Sequence, residues 1–105
     1  MRADQREVLS ISIRTKLCDA ELLAQLAEEA SELAHAALKL RRVRDGRNYT
    51  PFCFQEAYDQ LKEEVSDVML CLEVLGVDGD RRTMDAKLER WADRLRNHGG
   101  AGHGG

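Results

Sequence analysis

The 105-residue chain has little of several residue types that mark common protein classes. A single proline and 5% aromatic residues favour helices over sheets. The three cysteines, Cys18, Cys53 and Cys71, form no Cys-x-x-Cys pair and leave one thiol over. We therefore expect neither a disulfide framework nor a structural zinc site, and a reducing compartment suits the thiols.

Long apolar runs and an excess of positive charge are also missing. No hydrophobic leader opens the sequence, so we predict a soluble protein of the cytoplasm that has no membrane partner. The formal net charge of −3 excludes a polycation built for bulk nucleic-acid binding, and we expect no nucleic-acid partner.

What the chain does contain is 43% hydrophobic residues, recurring with helical period. The pattern predicts an all-α fold, a four-helix bundle whose second and third helices are long, antiparallel and joined by a short loop. We expect one domain over residues 1–98 and a flexible glycine-rich tail over residues 99–105. The predicted helices are approximately Asp4–Leu17, Ala20–Arg42, Phe54–Leu75 and Arg81–Arg96.

Local signals predict where these helices begin and what they bury. We expect Asp19 to cap the second helix, Pro51 to open the third and Asp80 to cap the fourth. In the fourth helix the apolar positions 84, 88, 91 and 95 recur at spacings of four, three and four. They form one face, which predicts that Trp91 lies in the core.

Two acidic pairs lie on the apolar faces of the long helices. At about 100° per residue, Glu29 lies on the leucine stripe of the second helix and Glu32 lies at its edge. Glu64 and Asp67 are placed in the same way on the third helix. Burying ionised carboxylates without a partner costs several kcal/mol, so we expect a cation between the pairs. Mg²⁺, with Mn²⁺ as a substitute, binds carboxylates and water and leaves positions for phosphate oxygens.

Basic residues cluster at the end of the second helix and along the fourth. Most of these basic residues are explained by favourable interaction with the helix dipole or by aliphatic side-chain stems that cover the core. Lys39 and Lys87 are our candidates for holding a triphosphate beside the metal.

Glu32 and His35 have the Glu-x-x-His spacing of di-iron bundles, which are a second kind of metal site to consider. Such bundles need the motif twice, and the third helix has no histidine. We therefore expect His35 at the surface.

The two acidic motifs, Glu-Glu-x-x-Glu at 28–32 and Glu-x-x-Asp at 64–67, resemble the signature of MazG-like nucleoside triphosphate pyrophosphohydrolases. The resemblance extends over about Ala20 to Leu75. It implies an all-α enzyme that uses Mg²⁺ to cleave a (deoxy)nucleoside triphosphate to the monophosphate and pyrophosphate, for nucleotide-pool clean-up. By motif position, the metal ligands and catalytic residues would be Glu29, Glu32, Glu64 and Asp67, with Glu28 in an outer shell.

The resemblance also implies an oligomer, and the thin core that one short chain can form agrees with it. We expect a homodimer or a homotetramer. Two other functions stay open from the sequence. One is a phosphoribosyl-ATP pyrophosphatase-like enzyme, and the other is a non-catalytic helical interaction module whose acidic pairs form salt bridges between subunits.

Overall fold

A computed structural model describes residues 1–46 and 51–98, and this part of the chain is helical with no strand. The all-α class and the four helices that the periodicity predicts are confirmed. The glycine-rich tail predicted over 99–105 and most of the predicted loop lie outside the described residues. The helices are α1 (Ala3–Lys16), α2 (Asp19–Arg44), α3 (Pro51–Leu75) and α4 (Arg81–Asn97).

Two of the three predicted helix starts are confirmed. Pro51 is the first residue of α3, a position where the missing N–H removes no helical bond. Asp80 caps α4, because its carboxylate accepts a hydrogen bond of 3.1 Å from the backbone N–H of Thr83.

The predicted cap of α2 is wrong by one residue. Cys18 is the N-cap, and Asp19 already lies in the first turn, where its charge favours the helix dipole. The backbone N–H and the thiol of Cys18 donate to the carboxylate of Glu21 at 3.3 and 3.2 Å. These bonds, the thiol one first, lower the pKa of Glu21.

Glycines in the left-handed conformation end both long helices, Gly46 at φ +83° and Gly76 at φ +74°. At Gly76 two backbone bonds complete the cap: Val77 N–H donates to the Leu72 carbonyl at 3.0 Å, and Gly76 N–H donates to the Glu73 carbonyl at 3.1 Å. This cap ends α3 abruptly and sets the direction in which the chain enters α4.

The main packing contact joins α2 to α3, and α1 packs on α3 over a smaller area. Arg6 of α1 donates two hydrogen bonds, of 3.0 and 3.1 Å, to the carboxylate of Glu73 on α3. Both side chains are nearly half exposed, so this ion pair contributes at most about 1 kcal/mol. The buried hydrophobic side chains of the described residues all lie on α2 and α3, and they are Leu22, Ala36, Val43, Ala57 and Val74.

Every residue of α4 is exposed. Trp91 is 59% exposed, so the prediction that it lies in the core is wrong for the single chain. The apolar side chains of α4 share one face, but no other helix within residues 1–46 and 51–98 covers that face. The shape reflects this: the radius of gyration is 18.1 Å, against about 13 Å for a compact domain of about 100 residues.

None of the helices in residues 1–46 and 51–98 combines the length and the apolar character needed to cross a lipid bilayer.

The small residues of the α2–α3 contact lead to a first prediction. Ala57 is 1% exposed, so Ala57→Leu should over-pack the contact and destabilise the protein by about 1–3 kcal/mol. Urea unfolding followed by circular dichroism measures this loss. Ala37→Leu makes the same change at an exposed position of α2 and should leave stability nearly unchanged. Equal effects of the two substitutions would contradict the packing described here.

Candidate metal centre

The contact between α2 and α3 brings together three of the four predicted ligands. Glu29 comes from α2, and Glu64 and Asp67 come from α3, one turn apart. One carboxylate oxygen from each lies within 4.8 Å of the other two, and all three residues are half-buried. A divalent ion about 2.0–2.6 Å from each ligand keeps its ligand oxygens within about twice that distance of one another. The three carboxylates are therefore spaced closely enough to share one ion after small side-chain movements.

Glu64 lies at the most shielded point of this group. Its Oε2 atom is out of contact with solvent and has no hydrogen-bond partner among the described residues. Loss of solvent is the largest cause that raises the pKa of Glu64, followed by the negative charges of Asp67, Glu29, Glu32 and Glu63. Its carboxylate therefore lacks a compensating positive charge, which a bound cation would supply.

Gln25 orients one member of the group. Its Nε2 atom, one turn before Glu29, donates a 2.9 Å hydrogen bond to Glu29 Oε1. Partners of this kind hold a ligand carboxylate in a fixed orientation and leave its other oxygen available. The sequence analysis assigned no role to Gln25, although a Gln four residues before a Glu on a helix is a pair that can interact.

Glu32, the fourth predicted ligand, lies outside the group of three. It is exposed, but it is near enough for its charge to contribute to the raised pKa of Glu64. Its role as a ligand stays a prediction, and its position suits an outer one. His35, one turn further along α2, is also exposed.

The two predicted phosphate-binding lysines are not beside the carboxylates in the single chain. Lys39 lies ten residues beyond Glu29, about 15 Å along α2, and its Nζ donates to Gln60 Oε1 at 3.2 Å. Lys87 lies on α4, which does not pack extensively against α2 or α3. Contact of either lysine with a phosphate stays a prediction.

A cavity of about 330 Å³ lies beside the carboxylates. Glu29 and Asp67 line one side of it, and the end of α1 supplies Ile13 and Leu17 on another. The contribution of α1 to this cavity is not predicted from the sequence, because only long-range packing brings α1 to the carboxylates. The remaining wall is largely apolar and is formed by Leu22, Gln25, Leu70, Cys71 and Val74.

Cys71 is the thiol nearest to this chemistry. Burial, followed by the charges of Glu29 and Asp67, raises its pKa above the ordinary value of 9.0. The thiol is therefore protonated at neutral pH, which makes it a poor nucleophile and a poor metal ligand.

No family model, curated protein or solved structure matches this chain. The function of the centre therefore has to be inferred from its own geometry and charge, together with the motif resemblance.

The raised pKa of Glu64 leads to a second prediction, for the metal-free protein. Because the folded state holds this proton more tightly than the unfolded state, stability is lost as pH rises from about 4.5 through the folded-state pKa. Glu64→Gln cannot ionise and escapes this loss, so it should be more stable than the wild type near pH 7. Thermal unfolding in a chelator, from about pH 4 to about pH 8, measures the difference.

In that experiment the difference in unfolding temperature between wild type and Glu64→Gln should increase as pH rises. Glu7→Gln removes an exposed carboxylate of α1 and should follow the wild type. A difference of constant size across the range would mean that the effect does not come from ionisation of Glu64.

A third prediction concerns the cation. Mg²⁺ or Mn²⁺ should raise the unfolding temperature of the wild type in a concentration-dependent way, because an ion that binds only the folded state stabilises it. The order of stability should then reverse, with Glu64→Gln gaining little. Indifference of the wild type to both ions would contradict a metal centre and would favour the helical interaction module.

Proposed function

We propose that this protein is a Mg²⁺-dependent nucleoside triphosphate pyrophosphohydrolase that converts a (deoxy)nucleoside triphosphate to the monophosphate and pyrophosphate. The observation that carries the proposal is the convergence of Glu29, Glu64 and Asp67, with one oxygen of Glu64 shielded and without a hydrogen-bond partner among the described residues. These are three of the four residues that the MazG-like resemblance gives as metal ligands.

The pairing of residues across the two long helices supports this proposal. Glu29 lies near Asp67, whereas Lys39, further along α2, contacts Gln60, which precedes Asp67 on α3. This order suits two helices that run in opposite directions, as the helical pattern and the short loop predict. Each helix then contributes acidic side chains to the same level of the bundle.

The donor set suits the proposed ion. All three side chains offer carboxylate oxygens, which Mg²⁺ and Mn²⁺ prefer, and the nearby thiol is held in its protonated form. When bound, the ion would neutralise negative charge on the phosphates and on the departing pyrophosphate, and would lower the pKa of a water ligand. Glu29, Glu64 and Asp67 would hold it, and Gln25 would keep Glu29 in position.

The reaction itself needs one water and one base. The water oxygen forms a bond to the α-phosphorus, the bond from that phosphorus to the bridging oxygen breaks, and pyrophosphate leaves. A carboxylate at the edge of the group accepts the proton of the water, and Glu32 and Glu29 are the candidates. Glu32 is exposed and outside the group of three, so its carboxylate is available for this step.

The neighbouring cavity offers a place for the nucleoside. Its volume of about 330 Å³ is at the lower end of the range for small-molecule sites. Apolar side chains such as Leu17 and Leu70 suit the faces of a base, while the ion that Glu29 and Asp67 would hold would attract the phosphates. Removal of surplus or unwanted nucleotides is the cellular role that we propose for this chemistry.

The fourth prediction is that pyrophosphate release requires the carboxylates. Purified protein is incubated with a panel of ribo-, deoxy- and modified nucleoside triphosphates and phosphoribosyl-ATP, with Mg²⁺ or Mn²⁺, and pyrophosphate is measured. Glu64→Gln and Asp67→Asn should each lower the rate at least about 100-fold, because loss of a ligand exceeds the 10–100-fold effect of an outer partner.

Glu7→Gln has the same loss of charge at an exposed position of α1 and should keep full activity. Circular dichroism checks that every variant is helical. Absence of pyrophosphate with every substrate and both ions would refute the proposed reaction, whereas cleavage of phosphoribosyl-ATP alone would narrow it to that class.

A fifth prediction concerns Gln25. Gln25→Ala removes the hydrogen bond to Glu29 without removing a ligand, so it should reduce activity by about 10–100-fold. A titration of activity against Mg²⁺ shows whether the loss of activity comes from weaker metal binding. If Gln25 positions a ligand, the variant should need more Mg²⁺ for half-maximal rate, whereas an unchanged requirement would mean that Gln25 does not act through the metal.

A further inference from the structure

Helix α4 presents an apolar face that nothing in the described chain covers. Met84, Leu88, Trp91 and Leu95 are each more than half exposed, with Leu88 at 64%. They lie within about 60° of one another around the helix and extend over eleven residues, about 16 Å. We call these four residues the α4 stripe. Its continuity distinguishes it from the scattered apolar side chains of an ordinary surface.

A second exposed apolar row lies on α3. Tyr58, Val65 and Met69 are between 38% and 63% exposed. They lie within about 40° of one another and also extend over eleven residues. We call them the α3 stripe. The two stripes therefore have the same length, as two helices in contact along one face require.

The charges of the two helices are complementary. Helix α4 contains six basic and three acidic residues, a net charge of +3. Helix α3 contains six acidic residues and one lysine; without Glu64 and Asp67 of the metal centre and Glu73, which pairs with Arg6, its remaining net charge is −2. Contact between α4 and α3 therefore brings opposite charges together, whereas contact between two copies of α4 would bring like charges together.

The surface area of the chain agrees with a missing partner. Its accessible surface is 8686 Å², whereas a compact monomer of 11.9 kDa exposes about 6,000 Å². The excess, roughly 2,700 Å² per chain or about 5,400 Å² for two chains, is at the upper end of the total area that obligate homodimers bury.

We propose that α4 binds a second copy of this chain, with the α4 stripe of each copy packed on the α3 stripe of the other. The exchange is reciprocal, so a two-fold axis closes it into a dimer with no unpaired stripe. The proposal is independent of the metal centre and of the proposed reaction, because it uses other faces of the molecule and its test needs neither metal nor nucleotide.

The test uses the chain's own tryptophan. Trp91 is the single tryptophan of the sequence, so its fluorescence reports on the α4 stripe alone. Light scattering after size exclusion, from about 1 to 100 µM protein, should show a dimer or an even multiple of it. The emission of Trp91 should be blue-shifted in the assembled protein and should move to the red, together with the fall in mass, on dilution.

Matched variants identify the surfaces. Leu88→Glu places a charge in the α4 stripe and Met69→Glu places one in the α3 stripe. Each should raise the dissociation constant at least about 30-fold, as loss of a central interface residue does. Ala86→Glu makes the same change of charge on the opposite face of α4 and should assemble like the wild type. Because Leu88 and Ala86 are both exposed in the single chain, neither substitution removes a core contact, and circular dichroism verifies the helices.

Several results would overturn the proposal. One is a wild type that stays monomeric at 100 µM, either with emission typical of water or with a blue shift from α4 folding back on its own chain. Another is a dimer that Leu88→Glu and Met69→Glu leave intact, which would place the interface elsewhere. A blue shift of a monomer that appears only with anionic lipid vesicles would assign the α4 stripe to a membrane surface instead.

Discussion

The close packing of α2 against α3 forces the carboxylates of Glu29, Glu64 and Asp67 together. Small buried residues, Ala36 and Ala57, lie on the two packed faces, and they let the backbones approach closely. The apolar contact that stabilises the helix pair thus also imposes electrostatic repulsion on it. Glu64 bears most of this conflict, since one of its oxygens is shielded and has no hydrogen-bond partner among the described residues. The cation that we propose would relieve the repulsion.

The small number of buried side chains also explains how the other helices are arranged. With so few side chains buried in the described residues, the single chain forms a thin core around α2 and α3. Helix α1 adds a partial cover and one wall of the cavity, and α4 adds none. In our proposals, stability, substrate binding and assembly therefore depend on different helices. The carboxylates lie at the centre, where the backbone is best supported, and the exposed apolar faces lie at the periphery.

Helical period and residue chemistry were enough to predict the fold class, the number of helices and the inward faces on which Glu29, Glu64 and Asp67 lie, because these depend on local geometry. The period alone could not decide how far the partner helix extends over each face. Glu32, at the edge of the leucine stripe, is consequently exposed, and Trp91 is not covered by any other helix of the described residues. The contribution of α1 depends on three-dimensional packing, which no spacing in the sequence encodes. The ten residues between Glu29 and Lys39, in contrast, already place that lysine about 15 Å along α2.

Gly76 has a consequence that reaches far beyond its own turn. Its left-handed backbone, together with the four residues that follow it, sets the angle at which α4 leaves the helix pair, and the 17 residues of α4 form a rod about 25 Å long. A rotation of about 10° at this glycine moves the far end of the rod by about 4 Å, close to the width of a side chain. Residues with a Cβ atom adopt that conformation only under strain. Substitution of Gly76 during evolution would therefore alter the architecture of any complex built on α4, while the carboxylates would stay in place.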